Sequence, residues 1–146
     1  SSDLTVSNFH RRDVRRVEIP GGNGIGTARG MARAMAASLA ENNPLQISSE
    51  VKAEIETTHP KSGLDELDAV MGAPSLYQMG FSKPTVQSAY GGRPRTFYAP
   101  GAGGNLCLAD PDSGVGFGYC LNRFGGNAVS DRRVVALYDS LLKCVI

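Results

Sequence analysis

Residues 96–124 read TFYAPGAGGNLCLADPDSGVGFGYCLNRF, and they predict a β-hairpin preceded by one further strand. Proline, aspartate and glycine favour a turn over residues 109–114, where Gly114 can adopt the positive φ that ends the turn. Alternation with a period of two along both arms gives each strand one apolar face. That face carries Leu106, Leu108, Val115, Phe117, Tyr119 and Leu121.

The opposite face of the second arm carries two glycines, Gly116 and Gly118. Glycine inside a strand often marks a place where another stretch of backbone comes close. We therefore expect a helix to pack against this face, with an exposed glycine-rich strand as the alternative.

Two segments upstream of the hairpin have the periodicity of helices. Residues 28–40 give the strongest helical pattern of the chain, and Thr27 is placed to act as its N-cap. A second helix is predicted over about residues 50–57, with Val51 and Ile55 on its inner face.

The remaining segments complete the order of elements. Residues 76–81 alternate and predict a strand, whereas residues 83–95 hold prolines and glycines and predict an exposed connection. A final helix is predicted over residues 131–143, capped by Ser130. Its apolar stripe holds Val134, Leu137, Leu141 and Val145, broadened by Val135, Tyr138 and Leu142.

Helices followed by antiparallel strands and a last helix are typical of an α+β fold. We expect an antiparallel sheet, with about three strands in this chain, packed against helices. A length of 146 residues is enough for one domain, and 41% apolar with 20% charged residues excludes a disordered chain.

Net charge and cysteine content limit the kinds of ligand, partner and cross-link that the chain is expected to have. A net charge of +1 gives no reason to expect nucleic acid or an anionic membrane, and no apolar run is long enough to span a bilayer. Three cysteines argue against a disulfide framework, and two histidines, neither close to a cysteine in sequence, argue against a zinc site. We expect free buried thiols, with a Cys107–Cys120 bridge as the alternative, and no metal or cofactor.

Residues 21–26, GGNGIG, precede a predicted helix and raise the question of a phosphate-binding turn. Their spacing does not give G-x-G-x-x-G, because Arg29 stands at the sixth position counted from Gly24 and Thr27 at the sixth from Gly22. No clear hydrophobic strand comes before them. A structural turn is therefore favoured over a dinucleotide site.

Ser49 and Lys52 form an S-x-x-K string, the spacing by which a lysine can activate a serine nucleophile one helical turn away. Two fixed residues in four are weak support. Both also suit the exposed first turn of a helix, which is the favoured interpretation.

Several segments together resemble the class C β-lactamase-like superfamily, which includes penicillin-binding proteins and family VIII carboxylesterases. Residues 18–30, EIPGGNGIGTARG, are similar to E-I-P-x-x-N-G-x-G-T-A-R, and residues 64–74 continue in the same order. YQMGF at 77–81 resembles Y-G-L-G-F, and FYAPGAGG at 97–104 resembles F-G-H-P-G-x-G-G. Residues 105–124 resemble the hairpin that follows in the family.

The resemblance is to the carboxy-terminal part of that family alone. It implies that residues 1–146 form a single partial domain, and that the serine–lysine helix and the tyrosine motif lie in an upstream part. By this register Ser49 falls in a peripheral helix, so no catalytic residue is expected in this chain.

The family's basic or hydroxyl triplet, on the strand that edges the active site, maps to Ala99-Pro100-Gly101. Gly101 is retained, and the Ala102 backbone N–H would serve as an oxyanion donor. Ala99 replaces the basic residue, and Tyr98 replaces a glycine, where its larger side chain could crowd the cleft. The substrate-binding residues that the resemblance implies are Ala99, Pro100, Gly101, Ala102 and Gly103.

Two functions follow from the resemblance. The first is a segment of a serine hydrolase that cleaves a small ester or amide through an acyl-serine; the second is a non-catalytic binding or structural module. We expect this chain alone to be inactive. We also expect it to pair with the upstream half of the fold or to self-associate, because an uncovered sheet edge invites another strand.

Overall fold

The computed structural model describes residues 9–57, 67–70, 72, 74–85, 93–125 and 131–145. The helices and strands of these residues are α1 Arg12–Arg15, α2 Ala28–Leu39, α3 Ser49–Glu56, β1 Tyr77–Gln78, β2 Phe81–Ser82, β3 Phe97–Gly101, β4 Asn105–Asp110, β5 Val115–Tyr119 and α4 Arg132–Val145.

The sheet has five strands, not about three, in the order β1-β2-β3-β4-β5 with every pair antiparallel. The extra strands arise where one strand was predicted over residues 76–81. Met79 (φ 49°) and Gly80 (φ 85°) both adopt positive φ and turn the chain back on itself. Two such residues are what a tight hairpin turn needs, so this segment forms a hairpin of two-residue strands.

The predicted long hairpin is confirmed as β4 and β5. Leu106 lies opposite Tyr119 and Leu108 lies opposite Phe117. The turn between the strands is held by the buried carboxylate of Asp110, which accepts hydrogen bonds from Ser113 Oγ (2.6 Å) and Asp112 N (3.1 Å).

One face of the hairpin packs against α2, so the prediction of a closely packed helix is confirmed. Thr27 caps this helix by accepting a hydrogen bond from Gly30 N at 3.0 Å. A Cβ placed on Gly116 would lie 2.6 Å from Ala32 O, and one on Gly118 would lie 2.7 Å from Ala32 N. The helix backbone therefore rests directly on the β5 backbone.

The other face packs against α4 through large side chains. Its core cluster consists of Tyr98, Leu106, Leu108, Val134 and Tyr138, and Phe117 stacks at a tilt on Tyr138 with 5.6 Å between ring centroids. The predicted stripe of α4 is wrong at two positions, because Leu137 and Val145 are exposed. The other predicted positions of the helix, Val134, Val135, Tyr138, Leu141 and Leu142, are confirmed in the core.

The end of α3 is tied to the sheet by a buried lysine. Lys83 is 1% exposed, although an exposed connection was predicted there. Its ammonium donates hydrogen bonds to the carbonyls of Ile55 (2.9 Å), Glu56 (3.2 Å) and Arg95 (3.0 Å). All three donors are thus satisfied, and two of them cap the free carbonyls at the helix end.

Of the two residues predicted on the inner face of α3, only Ile55 is confirmed. Ile55 packs against the cluster formed by Met35, Phe97 and Ala109, whereas Val51 is exposed.

Candidate active-site edge

Strand β3 carries the predicted substrate-binding residues, and its two edges differ. It pairs with β4 along its whole length, from Phe97 opposite Ala109 to Gly101 opposite Asn105. On the other side β2 pairs with it only at Tyr98. Among the described residues, the outer edge of Ala99–Gly101 therefore has no strand neighbour. Pro100, which has no N–H to donate, suits such an edge.

The strand ends in a tight turn that leads into β4. Gly104 N donates a hydrogen bond to Gly101 O at 3.0 Å, and Ala102 is the exposed residue of the turn. Gly103 (φ 81°) and Gly104 (φ 114°) occupy the left-handed region, which side chains disfavour. The turn therefore depends on both glycines for its shape.

Two side chains press against the inner side of this turn. A Cβ on Gly103 would lie 2.6 Å from the ring of Phe124, and one on Gly104 would lie 2.6 Å from Asp131 Cβ. Gly125 N closes the contact by donating to Gly103 O at 2.9 Å. The position of Ala102 is thus fixed by packing from beneath.

An ion pair at the start of α4 holds these side chains in place. Arg133 donates from Nε to Asp131 Oδ1 (2.8 Å) and from Nη2 to Asp131 Oδ2 (2.6 Å). The hydrogen bonds from the Arg133 side chain and backbone lower the pKa of Asp131 to about 2. The third nitrogen of the Arg133 guanidinium, Nη1, donates to Arg123 O at 3.0 Å, which links the helix to the segment that holds Phe124.

Asp131, Arg133 and Phe124 together hold the turn at Gly103 and Gly104, and we call this set of contacts the clamp. It was not predicted from the sequence. Asp131 was placed at the start of a helix, where it indeed accepts a hydrogen bond from Arg133 N at 2.9 Å, as an N-cap does. The proposed cap Ser130 lies outside the described residues. Nothing in the spacing of Asp131 and Arg133 indicates that the carboxylate also contacts a distant turn.

The five predicted substrate-binding residues form one continuous edge. Ala99, Pro100 and Gly101 are half-buried, Ala102 is exposed and Gly103 is buried. None of them has a titratable side chain, so the polar chemistry that this edge can offer comes from backbone N–H and C=O groups. Beneath the edge, the pKa of the Cys107 thiol, which points to Ala99 O at 3.8 Å, is raised by burial.

The side chain of Tyr98, which could have crowded the cleft, points to the α4 side of the sheet. Its side chain is buried in the α4-side core, and its hydroxyl donates to Lys83 O at 3.4 Å. Successive residues of a strand point to opposite faces, so Tyr98 and Ala99 cannot share a surface.

Ser49 and Lys52 are not joined as a catalytic pair. The Ser49 hydroxyl donates to Glu50 Oε1 at 3.1 Å, and the Lys52 ammonium donates to Leu39 O at 3.1 Å. Ser49 is the first residue of α3, while Ser48 caps the helix by accepting from Val51 N. This geometry agrees with the structural interpretation of the string.

The glycine-rich segment before α2 is organised by its own asparagine. Asn23 accepts a hydrogen bond from Ile19 N at 3.2 Å and donates to the carbonyls of Val14 (3.1 Å) and Val17. These contacts give the segment a structural role and agree with the turn that was favoured over a dinucleotide site.

Other candidate groups are scattered. His10 is exposed and His59 lies outside the described residues. Within the described part of the chain no group of three metal-ligating side chains occurs, and no helix has the length and hydrophobicity to cross a membrane. Cys107, Cys120 and Cys144 are free, but the expectation that the thiols are buried is wrong for Cys120 and Cys144, which are exposed.

Comparisons with known proteins agree with this geometry. A crystal structure of a family VIII carboxylesterase superposes with a TM-score of 0.81 at 28% sequence identity, over 97% of this chain and 38% of that chain. A penicillin-binding protein homologue from Caulobacter crescentus superposes with a TM-score of 0.78 at 27% identity, over 98% of this chain and 37% of that one. No match was found among curated protein sequences.

The chain spans less than two-fifths of the length of these two solved structures. The family model described as Beta-lactamase matches residues 2–140, which is nearly the whole sequence. The α+β fold is that of the two superposed proteins over nearly the whole of this chain. The chain therefore belongs to the serine β-lactamase-like family.

Proposed function

We propose that this chain is the carboxy-terminal segment of a serine hydrolase that cleaves a small ester or amide through an acyl-serine intermediate. In this proposal the chain supplies the substrate-edge strand, and an upstream part of the fold supplies the nucleophile. The single observation that carries the proposal is the outer edge of Ala99–Gly101, which no strand of the described residues covers and which leads directly into the clamped turn at Ala102.

The role of the edge follows from its backbone groups. When a serine oxygen attacks the substrate carbonyl, a C–O bond forms, the carbonyl π electrons move to the oxygen, and negative charge develops there. The Ala102 N–H is our candidate donor to that oxygen, and one such donor contributes about 3 kcal/mol to transition-state stabilisation. Collapse of the intermediate re-forms the carbonyl and breaks its bond to the alcohol or amine, which leaves with the proton that the serine hydroxyl gave up. Water then adds to the acyl carbon, the bond to the serine oxygen breaks, and the acid leaves while the serine recovers a proton from the water.

The clamp fits this role because a donor is effective only when its position is fixed before charge develops. Gly103, Gly104 and Gly125 leave no space for rearrangement against Phe124 and Asp131. A small and rigid turn is what an oxyanion site requires.

Reaction with a fluorophosphonate and with a penicillin, followed by intact-mass measurement, tests the proposal. We expect no adduct on the 146-residue chain or on its Ser49→Ala variant. Co-expression with an upstream segment of the family should give one covalent adduct located on the upstream segment. An adduct on the chain alone that disappears in Ser49→Ala would refute the assignment.

A non-catalytic binding or structural module is the second candidate, favoured by one observation. Ala99 places an uncharged methyl group where the family has a basic residue, so the edge has no side chain that can polarise a substrate. For such a module, the reassembled protein would bind an ester or amide without releasing product. Product formation by the reassembled protein would exclude the module.

A further inference from the structure

Asn105 is the first residue of β4, and its side chain lies beside the candidate site although no role was predicted for it. In the strand register it lies directly opposite Gly101, the last residue of β3. A Cβ placed on Gly101 would lie 3.1 Å from Asn105 Cβ and 3.7 Å from Asn105 Nδ2. The carboxamide therefore lies against Gly101, beside the space that a side chain on Gly101 would enter.

The orientation of this carboxamide is fixed by a backbone group beyond the end of β5. Leu121 N donates a hydrogen bond to Asn105 Oδ1 at 3.1 Å. A backbone N–H can bond only to the oxygen of a carboxamide, so this contact decides which end is Oδ1 and which is Nδ2. Of the two, Nδ2 is the closer to Gly101. The donor end of the side chain is therefore held toward β3.

The two N–H groups of Nδ2 are free to bind a ligand. Within the described part of the chain they donate no hydrogen bond, and the one side-chain bond of Asn105 is made by its oxygen. The residue is half-buried. A donor whose orientation is already fixed, and which the fold leaves without a partner, loses little entropy when it binds an acceptor.

Small side chains leave space on this face of β3, beside Nδ2. Ala99 and Gly101 share the face because alternate residues of a strand point the same way. Ala99 contributes one methyl group and Gly101 contributes none. The three atoms nearest to a Cβ on Gly101 all belong to Asn105, so no other residue comes closer to that position.

The carboxamide also lies within reach of the candidate oxyanion donor, the Ala102 N–H. A Cβ on Gly101 is three bonds from Ala102 N, so Nδ2 and Ala102 N are at most about 7.5 Å apart. One acyl group can span this distance. Its carbonyl oxygen would accept from Ala102, and a second oxygen about 3 Å away would accept from Asn105, each through a hydrogen bond of about 2.9 Å.

We propose that Asn105 is a substrate-binding residue whose Nδ2 donates to a neutral oxygen on the acyl group, two bonds from the reacting carbonyl carbon. The substrates are then esters or amides whose acyl group carries an ether or hydroxyl oxygen at that position. A carboxylate fits poorly there, because one uncharged donor does not offset the desolvation of a charge and Ala99 supplies no cation. The inference rests on the proposed function for the position of the acyl group.

Two matched esters test this contact without any need for turnover. Methyl methoxyacetate and methyl butyrate differ by one ether oxygen in place of a methylene group. Each is titrated to tens of millimolar into the nitrogen-15-labelled chain of 146 residues. The readout is the pair of side-chain NH₂ signals of Asn105, identified by their absence in Asn105→Asp. We expect methoxyacetate to shift these signals and butyrate to leave them unchanged.

Asn105→Asp then measures the contribution to specificity. The variant keeps an oxygen for Leu121 N and loses both donors of Nδ2. In the protein reassembled with the upstream segment, the ratio of kcat/KM for methoxyacetate to that for butyrate should fall about tenfold. The ether oxygen also activates the ester chemically, but this effect is the same for both proteins and cancels when their ratios are compared.

Asn43→Asp is the matched control, since it makes the same chemical change in the loop after α2. It removes the hydrogen bond from Asn43 Nδ2 to Ile47 O and keeps the one that Oδ1 accepts from Ile47 N. This variant should change neither the Asn105 signals nor the ratio of the two esters. Circular dichroism confirms that both variants are folded.

Three results would overturn the inference. They are equal shifts of the Asn105 signals by both esters, absence of a shift with either ester, and a ratio of kcat/KM that Asn105→Asp leaves unchanged. Failure of the hydrolase proposal is seen separately. In that case the reassembled protein takes up no covalent probe, although the Asn105 signals respond to methoxyacetate and not to butyrate.

Discussion

The two faces of the sheet hold their helices by different means. On one face, α2 rests with its backbone on the backbone of Gly116 and Gly118. On the other, α4 is held away from the sheet by the rings of Phe117 and Tyr138 and by the leucines of β4. Gly116 and Phe117 are neighbours in the same strand. Gly116 must stay small to let a helix backbone come close, whereas Phe117 must be large to fill the space beneath a distant helix.

The difference teaches which substitutions each face tolerates. Close backbone contact leaves no side chain that can rotate away, so an added atom must move the whole helix. A contact made by large side chains can adapt by changing rotamers, and a loss of volume costs only the buried area and the remaining cavity. The effect of a substitution on stability is therefore decided by the space that the side chain needs on the α2 face, and by the apolar area that it buries on the α4 face.

The largest effect is expected from adding one methyl group to the α2 face. In Gly116→Ala the new Cβ would lie 2.6 Å from Ala32 O. The position of a Cβ is fixed by the backbone, so only a movement of the helix or the strand could relieve this contact. Overpacking of this kind should lower the free energy of unfolding by about 3 kcal/mol. Urea denaturation followed by circular dichroism measures the change.

Gly24→Ala is the matched control for this substitution. A Cβ on Gly24 has nothing within 4 Å, so the same chemical change should alter stability by less than about 0.5 kcal/mol. Equal stability of the Gly116 and Gly24 variants would show that α2 is not in contact with β5.

A smaller effect is expected from Phe117→Leu, one residue along the same strand. The substitution keeps an apolar side chain against Tyr138 and loses the ring contact at 5.6 Å. We expect a loss of about 1.5 kcal/mol, half of that for Gly116→Ala. If Phe117→Leu proved the more destabilising of the two, the contrast between the faces would be wrong.

The sequence predicted the α2 face better than the α4 face. Glycines on alternate residues of a strand have few explanations, so Gly116 and Gly118 indicated a close helix. The apolar residues of α4 surround much of its circumference, and periodicity alone could not show that Leu137 and Val145 point outward. Residues 76–81 alternate as one strand would, and nothing in that alternation showed that Met79 and Gly80 turn the chain to make two strands, β1 and β2.

The candidate site also has one part that could be proposed from the sequence and one part that could not. The edge from Ala99 to Gly103 could be proposed as the substrate edge because its motif is continuous in sequence. The clamp of Asp131 and Arg133 could not, because it depends on a contact between residues about thirty positions apart. The burial of Lys83 was missed for the same reason, since its three acceptors come from α3 and from Arg95.

The smallest effect is a pH dependence at Lys83, on the α2 side of the sheet, where its ammonium lies 5.7 Å from the ring centre of Phe97. Burial lowers the pKa of Lys83 to about 8, with Glu56 opposing the shift and Arg95 adding to it. Above pH 8 the unfolded chain therefore holds more protons than the folded chain, and stability should rise with pH. Between pH 7 and 9 the gain should be about 1 kcal/mol.

Lys83→Met isolates this contribution. Methionine fills the same space without a titrating group, so the variant should be less stable overall but lack the rise between pH 7 and 9. Burial also raises the pKa of Cys107, whose deprotonation in the unfolded state lowers stability as the pH approaches 9, so the contribution of Lys83 is the difference between the unchanged chain and Lys83→Met. A rise of equal size in the unchanged chain and in Lys83→Met would assign it to another group. Equal pH dependence of the unchanged chain and Lys83→Met without any rise would mean that the three carbonyl acceptors offset burial and keep Lys83 protonated in both states up to pH 9.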